Sequence, residues 1–247
     1  MIIRKVDCVI ERRLLVNFRV RPDQVARHLP DGLRPQLVRG VGVAGICLIR
    51  LGQLRPHGIP GTLGMTTENV AHRFAVEWDE DGVTRSGVYV PRRDSSSGVS
   101  ALAGGRLFPG SHLRATFRVR ESERDLTISV HNHKQPMSIK VSVSDATDLG
   151  SSLFATTDEA IQFFRRGSQG YSPSLSGSCL EGVELHCERW EATSVAIDEI
   201  YSSFFEDPKS FEPGSVVVDC GLIMRDLPAR WRATGERSRD RELLSLR

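Results

Sequence analysis

The chain reads as an α+β domain built on a mainly antiparallel sheet with a few short helices, and three observations predict this. Apolar residues alternate with period two over many short runs, Gly, Pro, Asn and Asp separate those runs, and helical spacing surfaces only in brief stretches. A length of 247 residues suits one β-rich domain. Such a chain buries about 70 % of its unfolded surface, so it needs no disulfide or metal for stability.

Taken in order, residues 14–20 alternate as a strand, and Pro22 opens a short helix (PDQVARHL) at its favoured first position. PQLVR and VAGICLIRL read as strands joined through Gly40–Gly42. A Pro- and Gly-rich loop then leads to a hairpin whose Asp81-Gly82 pair suits a type I′ turn, which sets Phe74 opposite Tyr89 and Trp78 opposite Arg85. Ser95–Ser97 offer caps for a helix over 98–107. Strands follow at HLRATFRVRE, DLTISV and MSIKVSV. Thr156 and Glu159 form a capping box for a helix that stops at Gly167. Tyr171-Ser-Pro reads as loop, and GVELHCERW and GSVVVDCGLIM as strands. Residues 1–230 are expected to form a single domain, with 231–247 a charged, frayed tail.

Composition excludes several functions. Net charge is +2, and residues 225–247 carry seven Arg against four Asp or Glu, leaving the body at about −1. Without a basic face on the fold, nucleic acid is not an expected partner. No apolar run is long enough to cross a bilayer. The charged N-terminal stretch is no signal peptide, so a cytoplasmic protein is expected. The five cysteines form no C-x-x-C pair, and Cys47 and Cys220 sit in apolar strands as small hydrophobes. Gly40-Val-Gly-Val-Ala-Gly45 matches a dinucleotide fingerprint by letter, but a strand rather than a helix follows it, so a hairpin turn is the better reading. His131-Asn-His133 reads as a turn rather than a metal site, and no cofactor is expected.

The strand TENVAHRFAVEW carries the strongest hint of a site. Alternation puts Glu68, Val70, His72, Phe74, Val76 and Trp78 on one face, and Asn69, Ala71, Arg73, Ala75 and Glu77 on the other. A carboxylate and an imidazole thus share an apolar side, where an unpaired charge costs several kcal/mol. They lie about 13 Å apart along the strand, so they would flank a ligand rather than bond to each other.

Three blocks, VNFRVRPDQVARHLPDGLRP, TENVAHRFAVEW and GVYVPRRDSSSGVSALAGGRLFPGSHLRATF, resemble the YqjF-like bacterial family of the acetoacetate decarboxylase-like superfamily. The resemblance implies a barrel or cone-like sheet around a pocket lined by an arginine and a glutamate, here Arg19 and Glu68. It also implies a Schiff-base lysine after the F-P pair, yet those positions are Gly110 and Ser111. The standard decarboxylase is therefore not expected.

What remains is a pocket for an acidic small molecule, a carboxylate or keto acid, used without an imine. Arg19 would clamp the carboxylate, with Arg106, Arg92, Tyr89, Gly110 and Ser111 as further ligand contacts. Glu68 would act as base or acceptor, with His72 or His112 as the titrating partner. The same set could serve a lyase or hydratase or a non-catalytic binding module, and Arg19, Glu68 and Arg106 could instead form an ion network. Homo-oligomerisation is left open.

Overall fold

The computed structural model describes residues 5–97, 112–134 and 136–238. Strand β1 (Lys5–Val20) runs into helix α1 (Pro22–Ala26), and two short strands, β2 (Arg34–Pro35) and β3 (Leu37–Val38), lead to β4 (Val41–Pro56). A long hairpin of β5 (Met65–Glu80) and β6 (Val83–Ser95) follows. After it come β7 (His112–Arg114), β8 (Thr116–Glu121), β9 (Asp125–Asn132) and β10 (Met137–Asp145). Helix α2 (Thr157–Arg166) precedes β11 (Gln169–Pro173), β12 (Cys179–Cys187), β13 (Thr193–Ser202) and β14 (Val216–Ser238).

Strands β1, β4, β5, β6, β11, β12 and β14 pair in that order, and β14 pairs back onto β1, closing a seven-stranded barrel. Only the β6–β11 contact within this ring is parallel. From β14 the sheet also continues through β13, β10 and β9 to a free edge at β8. Asp226, at φ +52°, marks the fork. Before it, residues 221–223 pair with β13; after it, residues 229–238 pair with β12.

Two apolar cores result, one on each side of the barrel wall. The first lies between the wall and the open sheet, where Leu14, Val16, Ile46, Leu48, Phe74 and Trp78 meet Ile128, Val130, Ile139 and Val141. The second fills the barrel lumen with Cys8, Leu15, Cys47, Ile49, Leu185, Leu222 and Met224, and Phe163 and Phe164 of α2 join it.

Local chemistry explains the elements. The β5–β6 hairpin turns on Asp81 (φ +50°) and Gly82 (φ +75°), the left-handed pair a type I′ turn needs, and it sets Phe74 opposite Tyr89 and Trp78 opposite Arg85 as expected. Gly40 (φ +79°) with Arg39 (φ +51°) turns β3 into β4, so the G-x-G-x-x-G letters belong to a hairpin. Thr156 Oγ1 accepts from Glu159 N at 3.1 Å, while Glu159 Oε2 accepts from Ala155 N at 2.6 Å.

Two expectations are corrected and one strand is added. Tyr171-Ser-Pro belongs to strand β11, held between β6 and β12. Strand β13 had no sequence signal because only Val195 and Ser202 of its ten residues are buried. The segment from Trp231, expected to fray, continues as β14 to Ser238. The helix expected over 98–107 lies outside the described residues. Among those described, no helix is long and apolar enough to cross a membrane.

Candidate functional site

The barrel lumen gathers what the alternation of β5 had assigned to its less apolar face. Arg13 on β1, Arg73 on β5 and Arg93 on β6 line one small cavity with Cys47, Ala71, Phe164, Gly170, Leu185 and Trp231. A second cavity adjoins it, sharing Cys47, Ala71, Arg93 and Trp231 and adding Asn69, Ile49 and His112. Their volumes are about 50 and 60 Å³. A single buried water needs roughly 10–15 Å³, so each has room for a few water-sized groups.

Among the described residues, none of the three arginines has a carboxylate partner. Their contacts are neutral instead. Arg13 donates from Nε to Cys47 Sγ at 3.4 Å and from Nη1 to Met224 Sδ at 3.8 Å, and its guanidinium lies 5.6 Å from the Trp190 ring centre. Arg73 donates from Nη2 to Asn17 Oδ1 at 2.6 Å and stacks 4.5 Å from the Phe164 ring centre, while its Nε has no hydrogen-bond partner. Arg93 donates from Nε to Ser172 Oγ at 3.1 Å. Burial, reinforced by neighbouring Arg13, draws the Arg73 pKa down to about 10, and burial does the same to Arg93. Both therefore stay charged at neutral pH. The carboxylate on the rim, Asp94, is already committed: Arg92 holds it at 2.8 and 3.1 Å, and Asn132 Nδ2 donates to it at 2.6 Å.

An uncompensated buried cation is costly, because desolvation is offset only by a partner charge or good hydrogen bonds. Arg73 is buried and Arg13 and Arg93 are half-buried, so the chamber concentrates positive charge, and a guanidinium fork matches an oxyanion in geometry.

The residues singled out in the sequence divide sharply. His112 reaches the lumen, since β7 pairs in parallel with β6 and sets His112 beside Arg93. Glu68 and His72 do share a face, but it is the face turned towards the open sheet. There Glu68 closes an ion ladder: Arg12 donates to it at 2.7 Å and Arg50 at 3.1 Å, and Arg12 also donates to Glu121 at 2.8 Å, where Arg225 binds too. His72 packs 4.5 Å from Phe204, with Nε2 3.4 Å from Ser202 Oγ, and Tyr89 is core on that same side. Arg92 is neutralised by Asp94 there. Arg19 shares the lumenal face of Leu15 and Asn17 only at its far end; it is 40 % exposed, with Nε 3.7 Å from Asp219. Arg19 and Glu68 therefore do not oppose each other across a pocket. Arg106, Gly110 and Ser111 fall outside the described residues. The four lysines, Lys5, Lys134, Lys140 and Lys209, are all exposed. No group of three or more metal-ligating side chains gathers among the described residues.

Sequence reasoning did not single out Arg13, Arg73 or Cys47 as site residues. The usable signal was Arg73 between Ala71 and Ala75, since small neighbours on one face leave space around a long cation.

Several solved structures share the architecture. The enduracididine biosynthesis enzyme MppR, complexed with pyruvate, aligns over 97 % of this chain and 91 % of its own at 13 % identity, with a TM-score of 0.58. The acetoacetate decarboxylase of Legionella pneumophila aligns over 94 % and 87 % at 11 % identity, TM-score 0.56. An acetoacetate decarboxylase-like enzyme from Sphingomonas wittichii RW1 aligns over 96 % and 93 % at 14 % identity, TM-score 0.56. No curated protein matches the chain by sequence. Residues 9–218 match the model of one family, the uncharacterized conserved proteins DUF2071. That match spans most of the 247 residues, and the chain belongs to the DUF2071 family.

Proposed function

We propose that the barrel lumen binds a small carboxylic acid, of the oxo-acid class, on Arg13, Arg73 and Arg93, without covalent capture by a lysine. One observation carries the reading: the buried Arg73 and the half-buried Arg13 and Arg93 converge on a cavity, and none has a carboxylate counter-ion among the described residues. The exposed positions of all four lysines support the second half, because imine chemistry needs a neutral amine in a desolvated pocket. The cavity volumes favour an acid of few heavy atoms. The pyruvate carried by MppR, a fold relative, makes oxo acids the first class to try. His112, beside Arg93, is the group placed to exchange a proton with such a ligand.

The test is a thermal-shift panel of pyruvate, acetoacetate, acetate and the neutral analogue pyruvamide. At about a hundred times Kd, a ligand adds about 2.7 kcal/mol of stability. The acids should raise Tm, pyruvamide should not, and Arg73→Met should abolish the effect, with far-UV circular dichroism checking its fold because the change also strands the buried Asn17 Oδ1. A shift that survives Arg73→Met, or equal shifts with pyruvamide, would refute the reading.

A further inference from the structure

We infer that Cys47 is the nucleophile of this lumen, adding through sulfur to the carbonyl carbon of an oxo acid whose carboxylate rests on the arginines. The inference builds on the anion site proposed above. Cys47 lines both cavities and is 8 % exposed. Its sulfur accepts the Arg13 Nε hydrogen bond at 3.4 Å, and Arg73 and Arg93 line the same cavity. A second observation points to an absent ligand in the same chamber: Arg73, 6 % exposed, keeps Nε without a hydrogen-bond partner.

The register explains the convergence. Leu15, Cys47 and Ala71 stand in one row across β1, β4 and β5, and Ala71 faces Arg93 on β6. The adjacent rows place Arg13 opposite Ile49, and Arg73 opposite Gly45. Arg13 thus bonds the sulfur directly, Arg73 stands on the neighbouring strand one row along and Arg93 one strand further on, and alanine's small side chain between them leaves space. A carboxylate seated on the guanidiniums would hold its adjoining carbonyl at the thiol, turning a bimolecular encounter into an oriented one.

The step balances without any further reagent. A carbon–sulfur bond forms, the carbonyl π bond opens, and the thiol proton goes to the carbonyl oxygen, giving a hemithioketal. Nothing is oxidised and no group leaves. A guanidinium beside that oxygen stabilises the charge it gathers on the way.

Native full-length protein is treated with iodoacetate and iodoacetamide in parallel, and modified cysteines are located by peptide mass spectrometry. Cys47 should react at least tenfold faster with iodoacetate, pyruvate should protect it, and Arg73→Met should remove the preference. Cys8 and Cys220, whose thiols burial pushes up to about 12, serve as internal references and should show no such preference. Carbon-13 NMR with pyruvate labelled at C2 should then show a tetrahedral carbon signal in the parent that is missing from Cys47→Ser. Cys47→Ser, having lost the carbon–sulfur bond, should show a smaller pyruvate-dependent thermal shift than the parent. Equal or slower reaction with iodoacetate, or no Cys47-dependent tetrahedral signal at saturating pyruvate, overturns the nucleophile. If the thermal shift is intact in that case, the anion site stands without it; if the shift is also missing, the anion site is refuted as well.

Discussion

At position 72 an imidazole is enclosed by Phe204 and Phe205, and burial, with Arg92 adding to it, draws its pKa from 6.5 to about 3. Folded protein therefore keeps His72 neutral where the unfolded chain would protonate it. The stability this neutral group carries is complete above pH 6.5 and is lost as pH falls from there towards 3, because only the unfolded state takes up the proton. The slope is about 1.4 kcal/mol for each pH unit. Urea titrations at pH 6.5 and 4.5 should show the parent losing about 2 kcal/mol more than His72→Phe between the two. A pH-independent gap between the proteins would mean that the imidazole is open to protons in the fold. Its role is packing between layers, on the same face as Val70, Phe74 and Val76.

Among the elements, β4 makes the lumen possible by what it leaves out. Gly45 sits in the row joining Asn17 and Arg73, and a methyl there would stand 2.8 Å from the Val16 carbonyl oxygen and 3.2 Å from two guanidinium nitrogens of Arg73. Gly45→Ala is expected to cost about 1–3 kcal/mol in chemical denaturation and to weaken any carboxylate-dependent thermal shift. An alanine variant as stable as the parent would show that Arg73 has space to spare. The alternation of β5, its hairpin register and the α2 capping box were all legible, because side-chain period and turn chemistry are local. Which face looked into the barrel was not. A wall covered on both sides buries apolar residues on each, so the side bearing Phe74 and Trp78 reads as the pocket side although it faces the open sheet. Backbone kinks add to this. Lumenal residues on β14 are Leu222 and Met224 before Asp226 but Leu227 and Ala229 after it, and Gln53 (φ +51°) marks the same exchange on β4, between Leu51 and Leu54. A face inferred from one end of such a strand is wrong at the other.

For the whole molecule, pairing is uneven and so is the expected rigidity. Strand β1 is bonded on both sides along nearly its entire length, by β14 and by β4, whereas β8 pairs only with β9 and ends the open sheet. Native-state amide exchange should leave β1 and the middle of β4 as the slowest segments and release β8 first. Comparable rates in β1 and β8 would contradict a closed ring. That β1 lies against β14 has a consequence during synthesis. Strand β1 leaves the ribosome long before β14, so a nascent polypeptide halted anywhere between residues 20 and 216 has no closed ring. For as long as translation runs, a long apolar ribbon stands without its final neighbour, and the cell has to keep it from pairing with the wrong one.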